Sequence, residues 1–290
     1  MKPLLITDDL HHKNSRGLRI MLTQKNIPYK FGSVNDINDY EYIYSPNKPL
    51  NIHEYPNKKF LFGPHFSVFP DRKLQQLNNQ YKNAYYIQPS KWVSDLWINK
   101  GAEKYVPIKS FAFPVDTERF QPNNSQRTEV FLYHKRRHPN ELEQVKYFLK
   151  SRQIDYHIFD YVQRYHEENY INILQKAKYG IILDAHESQG FAIEEALSYN
   201  VPLLVWNTRF MSQEHGGRYE NIPCSSIGYW DERCGEYFYD ADQLESTYNT
   251  FLSKLDSYQP RQYILENLSV EPCFKRLNNL YEELSNEMVK

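Results

Sequence analysis

The chain reads as an α/β protein of two domains, each built on a parallel sheet, and three observations carry that reading. Short continuous apolar runs, among them Tyr179-Gly-Ile-Ile-Leu-Asp184 and Val201-Pro-Leu-Leu-Val-Trp206, have the character of strands covered on both faces. Between these two runs Phe191 to Tyr199 has helical spacing, so strand, loop, helix and strand make a βαβ unit whose ligand crevice lies at the carboxyl ends of the strands. Finally, 290 residues are long for one domain and comfortable for two, and a proline-punctuated stretch from Val106 to Pro122 offers the joint between them.

The elements follow in order. Leu4 to Ile6 reads as a buried strand, Asp8 to Arg16 as a polar loop, Gly17 as the opening of a helix through Gln24, and Ile27 to Phe31 as the next strand. Glu41 to Tyr44, Lys59 to Phe62 and Tyr85 to Gln88 continue the strands. Ser90 is placed to cap a helix from Lys91 to Asn99, which Gly101 closes. Beyond the linker come a strand at Val130 to Tyr133 and a helix with an Asn140/Glu143 capping box. A strand near Tyr156 to Tyr161 follows, then a helix near Glu167 to Lys178 with Tyr170, Leu174 and Ala177 on its buried stripe. After Trp206 the polar excursion 207–226 has no legible path. Asp240 and Gln243 open a helix carrying Leu244, Tyr248, Phe251 and Leu255, and Pro260 suits the first turn of another. The final helix carries Phe274, Leu277, Tyr281, Leu284 and Met288 on one stripe.

Composition narrows the function. Lys plus Arg number 35 against 36 Asp plus Glu, so no global field favours nucleic acid or an anionic membrane, and any basic site must be local. Three cysteines, an odd number without CxxC spacing, point to reduced thiols rather than structural zinc. With neither a signal-like start nor an 18-residue apolar window, a soluble cytoplasmic protein is expected. There is no P-loop, no Gly-x-Ser-x-Gly elbow and no strand-linked Gly-x-Gly-x-x-Gly.

The chemistry concentrates around Glu187 to Pro202. A helix starting at Gly190 presents unpaired N–H groups and a positive dipole end, which is an anion site. Glu187 in the loop and Glu195 on the helix are carboxylates that can accept hydrogen bonds from ligand hydroxyls. Glu194 points about 100° away around the helix and should be a neutral control. Glu187-x7-Glu195 with Gly190 between, then Ala196 and Asn200-x-Pro202, resembles the signature of the large retaining glycosyltransferase family that includes sucrose, glycogen and mannosyl synthases. Pro114-Val-Asp-Thr-Glu-Arg-Phe-Gln-Pro122 is similar to that family's linker, Pro-Asn-Gly-Val-Asp-x-x-x-Phe-x-Pro. The resemblance covers nearly the whole chain and is densest from Phe113 to Trp206.

The resemblance implies a GT-B fold: two Rossmann-like domains facing a cleft, with a C-terminal helix crossing back to the first. Residues 1–113 would form the acceptor-side domain, 114–126 the linker, 127–268 the nucleotide-sugar domain and 269–290 the C-terminal helix. It also implies metal-independent transfer, with retention, of a sugar from a nucleotide-diphosphate donor to a glycan or other hydroxyl acceptor. Glu187, His65, Lys135 and Arg136 would serve the chemistry, and Glu195, Gly190, Ser188, Gln189, Phe191, Arg137 and Gly17 would hold the donor. No cofactor is expected, and no nucleic-acid partner.

Two features depart from the family pattern. Arg16 stands where a double glycine is usual, and Asn200 replaces a glycine, a mild change because Asn tolerates a left-handed helix end. The Tyr/Asn/Lys-rich composition and the run Tyr229 to Gly235 resemble glycosyltransferases of large DNA viruses, which would put the protein in a host cytoplasm. Plainer readings stand beside several residues: His65 and His186 as satisfied loop histidines, 135–137 as an exposed basic turn, and Asp240-Ala-Asp242 as a helix cap rather than a metal-binding Asp-x-Asp. Pro139 argues against His134 and His138 as a helical metal pair. Glu41, Asp71 and Asp116 are further acids of no distinctive spacing. A nucleotide-sugar epimerase and a catalytically silent nucleotide-sugar binder remain as alternatives.

Overall fold

The structure is a computed structural model that describes residues 1–77 and 82–287. Its elements in chain order are β1 (Leu4–Ile6), α1 (His12–Gln24), β2 (Tyr29–Phe31), β3 (Tyr42–Ser45), β4 (Lys59–Phe62), β5 (Ala84–Gln88), α2 (Lys91–Asn99) and β6 (Ile108–Ser110). There follow β7 (Glu129–Lys135), α3 (Pro139–Ser151), β8 (His157–Asp160), α4 (Glu167–Leu174), β9 (Ala177–Asp184), α5 (Phe191–Ser198) and β10 (Leu203–Trp206). The chain closes with β11 (Gly235–Phe238), α6 (Leu244–Ser253), α7 (Pro260–Asn267) and α8 (Val270–Glu287). It divides into two compact units, Met1–Pro114 with Leu268–Lys290, and Val115–Asn267.

The first unit is a six-stranded parallel sheet in the order β2-β1-β3-β4-β5-β6. Alternation sends Leu5, Ile43, Phe60, Phe62 and Tyr86 into one core layer with Val93 and Trp97 of α2. The opposite face is covered by α1 and by α8, which returns from the far end of the sequence. Tyr281 of α8 stacks on Tyr42 at 4.5 Å, and its hydroxyl donates to the Ile43 carbonyl at 3.1 Å. Leu277 and Leu284 lie buried on the same stripe, while Met288 falls outside the described residues. Helix α1 begins at His12, five residues before the expected opening, so Gly17 sits inside it rather than in a loop. A Cβ there would meet the Pro114 carbonyl oxygen at 2.6 Å, so close helix packing is what the glycine serves.

The second unit is a five-stranded parallel sheet in the order β11-β10-β9-β7-β8. Leu132, Leu183, Trp206 and Phe238 face α3 and α6 in one layer. Several elements differ from the sequence reading. The box at Asn140/Glu143 is displaced by two residues: His138 Nδ1 accepts from the Asn140 amide at 3.1 Å, and Glu141 accepts from the His138 amide at 3.1 Å. An imidazole nitrogen accepts as a carboxylate would, and Pro139 fills the first helical position, where no amide is needed. Helix α4 stops at Leu174, and Ala177 starts β9 instead of ending the helical stripe. Helix α5 ends as expected: Asn200 takes φ 60°, and the Val201 amide donates to the Ala196 carbonyl at 3.1 Å.

The two sequence signatures meet in this unit. Arg261 donates to the carbonyls of Thr117 (3.1 Å), Phe120 (3.0 Å) and Ser198 (2.7 Å), and the Phe120 ring packs on Tyr199. The segment after Pro114 is therefore docked on the carboxyl end of α5. Replacing Tyr281 tests the anchoring of α8: Tyr281→Phe should cost about 1 kcal/mol and Tyr281→Ala about 3–5 kcal/mol in denaturant unfolding. Equal costs would show that ring packing contributes nothing.

Candidate functional site

In the second sheet β7 lies between β8 and β9, so the chain leaves the first strand of the unit to one side and then to the other. Such a switch point opens a crevice at the carboxyl ends of the strands. The residues there are Lys135 and Asp184, register partners that alternation turns to the same face as Tyr133. The loop that follows β9 is pinned at three points. The Ala185 amide donates to the Lys135 carbonyl at 3.0 Å, the Thr208 hydroxyl donates to the Ala185 carbonyl, and the Glu187 amide donates to the Ser225 carbonyl at 3.1 Å. Gly190 then takes φ 100°, a conformation that suits glycine, and caps α5 without a side-chain bond.

At the centre Lys135 and Glu187 form an ion pair, their side chains 15% and 16% exposed. Burial works against the charge of Lys135, yet the carboxyls of Glu187 and Asp184 outweigh it and hold the ammonium above the ordinary lysine range. Burial likewise opposes ionisation of Glu187, and Lys135 overrides it, so the Glu187 carboxyl is held below its usual range. Asp184 is the opposite case. Burial, reinforced by the neighbouring Glu187, pushes its carboxyl well above the usual range. Tyr133 and Tyr165 line the cluster, and burial pushes the Tyr165 phenol up to about 12.

The basic run divides into three fates. Lys135 faces the cluster and lies 4.7 Å from the Tyr161 ring centroid. Arg136, at φ 55°, is half-exposed and approaches Glu214 at 3.5 Å. Arg137 is 1% exposed; it donates to both oxygens of Glu141 (2.9 and 2.6 Å) and to the carbonyls of Trp206 (2.9 Å) and Asp184 (3.3 Å). Its guanidinium ties the ends of β9 and β10 to α3.

The excursion 207–226 proves to be part of the site. Asn207 Oδ1 accepts from the amides of Thr208 (2.8 Å) and Ser226 (2.9 Å), closing the excursion at its base. Phe210 and Pro223 form an antiparallel bridge, and Glu214 is carried to within 2.8 Å of His186. Glu214 had no distinguishing spacing in the sequence; only the path of the excursion brings it here. The bland Asp240-Ala-Asp242 reading fits its surroundings: Asp240 takes both arms of Arg209 at 2.9 Å, and Gln243 accepts from the Asp240 amide at 3.1 Å. His134 Nε2 donates to the Arg137 carbonyl at 3.2 Å.

On α5, Glu195 is 2% exposed, with Tyr165, Tyr170 and Tyr199 as electrostatic neighbours. Glu194, expected as a neutral control, is buried as deeply as its neighbour. At 1% exposed it accepts from Gln189 Nε2 at 3.0 Å, because α5 is covered on that side too, by α7. Gln189 is itself buried and so braces the loop from within, while Ser188 and Phe191 are half-buried at the helix start. In the first unit His65 follows β4, with Nδ1 3.0 Å from the Tyr86 hydroxyl and its ring 5.2 Å from that of Trp97.

No family model matches the chain, and no curated protein sequence does. Solved structures do. The apo lipopolysaccharide outer core galactosyltransferase WaaB aligns over 97% of this chain and 99% of its own, at 13% identity and TM-score 0.56. Sucrose-phosphate synthase from Thermosynechococcus elongatus aligns over 99% and 100%, at 10% identity and TM-score 0.57. The N-terminal domain of Candida albicans trehalose-6-phosphate phosphatase aligns over 94% and 75%, at 12% identity and TM-score 0.52. The fold is GT-B. At such identities it is the fold that is shared, and in this GT-B chain the switch-point residues of the second unit stand on their own geometry.

Two outcomes test the site. Lys135→Met should cost about 3 kcal/mol because it leaves Glu187 buried without its cation, and adding Glu187→Leu should restore at least half of that loss. Additive losses in urea unfolding would mean that the two side chains are not coupled. His65 and His186 are both lowered by burial, so folding favours their neutral forms. Protonation then favours unfolding: stability is complete above the unfolded value of 6.5 and falls as pH drops below it. His65→Gln should flatten the stability profile between pH 7.5 and 5, and an unchanged profile would remove His65 from that account.

Proposed function

We propose that the protein is a glycosyltransferase that moves a sugar from a nucleotide-diphosphate donor to a hydroxyl acceptor, with retention of configuration and without a metal. The observation that carries this reading is the Lys135–Glu187 pair set at a switch point beside the Gly190-capped start of α5. A diphosphate lying against the first turn of α5 meets amide donors and the positive end of the helix. Lys135, reinforced by Arg136, supplies the charge that stabilises the leaving oxygen as the glycosidic bond breaks. As Lys135 turns to the phosphates, Glu187 is left to accept hydrogen bonds from the donor sugar. Glu195 accepts the ribose diol, with Tyr165 and Tyr170 as neighbours. The first unit receives the acceptor, with His65 neutral at pH 7 and able to hydrogen-bond a hydroxyl.

The resemblance of the two signatures supports retention and metal independence. The GT-B fold shared with a galactosyltransferase and a sucrose-phosphate synthase supports the reaction class. In a thermal-shift screen of nucleotide sugars the true donor should raise the melting temperature by mass action. Glu195→Gln should weaken nucleotide binding about tenfold, by loss of a charge-assisted bond, whereas the exposed Asp242→Asn should not. Transfer should persist in saturating EDTA. Unchanged binding by Glu195→Gln would remove the diol assignment, and a loss of transfer restored by Mn²⁺ would overturn the metal-free mechanism.

A further inference from the structure

Two carboxyl groups and one ammonium share the buried cluster at the ends of β7 and β9. Lys135 is committed to Glu187, its ion-pair partner. Asp184 is 0% exposed, and among the described residues no side-chain donor reaches its carboxyl oxygens; the one donor beside them is the Ala185 backbone amide. Also within hydrogen-bonding reach of Asp184 is the carboxyl of Glu187. Two carboxylates only accept, so a bond between them requires a proton on one of the two. We infer that Asp184 is a neutral carboxylic acid that donates its proton to Glu187 and thereby holds the Glu187 carboxylate in place. Asp184 is then a positioning residue.

The surroundings decide which of the two keeps the proton. Facing Asp184 are Tyr133 and Lys135 from β7, Glu187 from the loop after β9, and Cys224 from the returning excursion. Burial raises both Tyr133 and Cys224, so they add no charge near neutral pH. Of the two cations close by, Lys135 sits against Glu187, and Arg137, whose guanidinium donates to the Asp184 backbone carbonyl at 3.3 Å, is paired with Glu141. The charge belongs on Glu187 and the proton on Asp184. The arrangement also gives Glu187 two fixed contacts, an ammonium and a carboxyl proton, so that its orientation survives if Lys135 turns toward another anion.

The test uses the full chain. Infrared difference spectra at pH 7 should show a protonated-carboxyl C=O band, shifted in D₂O, that Asp184→Asn removes. A spectrum that is the same for wild type and variant in this region overturns the inference. The sign of the stability change gives a second readout. Keeping a proton that the unfolded chain releases above its ordinary value of 3.8 costs the wild type stability as pH rises. Asp184→Asn should therefore raise the urea midpoint at pH 7 and leave it nearly unchanged at pH 3. A uniform shift at both pH values would contradict a titrating Asp184.

The activity arm rests on the glycosyltransferase reading. There Asp184→Asn, whose amide can still donate to Glu187, should keep transfer within about threefold of wild type, while Asp184→Leu should lose about tenfold or more in kcat/KM. Equal loss in both variants would deny the positioning role. If no transfer is found with any donor, the glycosyltransferase reading fails, and the infrared band and the pH dependence still decide whether Asp184 holds the proton.

Discussion

The second unit depends on a charge imbalance that its own topology creates. Placing β7 between β8 and β9 brings Lys135 and Asp184 side by side at the carboxyl edge, and the loop after β9 then adds Glu187. Two acids beside one lysine, largely removed from water, are costly to keep charged together. The buried backbone around them answers that constraint: Arg137 binds the strand-end carbonyls and Glu141, while the Thr208 hydroxyl fastens the loop base. Supports of this kind hold three ionisable groups in place at the ends of the strands.

The same economy explains the excursion between β10 and β11. A polar segment of this length would be poorly constrained if it ran free over the surface. Here Asn207 closes its base, the Phe210–Pro223 bridge holds its waist, and Glu214 with Ser225 returns it to the switch point. The site is thus assembled from three stretches far apart in sequence, namely the end of β7, the loop after β9 and this excursion. The Val115–Pro122 segment is bound to α5 through Arg261, so the two signatures on which the resemblance rested form one physical unit.

Much of this was legible in the residues. Apolar runs of strand length, the glycine before α5 and the Asn200 helix end each express a local constraint, burial on two faces or a left-handed backbone, that any fold must respect. The readings that moved did so where tertiary contacts override local preference. Gly17 looked like the opening of a helix but lies inside α1, where a Cβ would meet the Pro114 carbonyl oxygen. Glu194 was separated from Glu195 by helical angle alone, but α7 packs on α5 and both acids are buried. The β11 strand, Gly-Glu-Tyr-Phe, is too polar and short to announce itself, and pairs because β10 presents an open edge.

The sequence by itself determined the α/β class, the order of most elements and the residue types around Glu187 and Gly190, since periodicity and backbone preference are properties of neighbours in the chain. Only the tertiary structure decided which of Lys135, Arg136 and Arg137 faces the crevice, that Glu214 belongs there, and that Asp184 stands against Glu187. Those are questions of register and burial, and charge states follow burial: a carboxyl is an ordinary acid in the sequence and becomes a proton holder only when the fold removes it from water and pairs the nearby lysine with another acid.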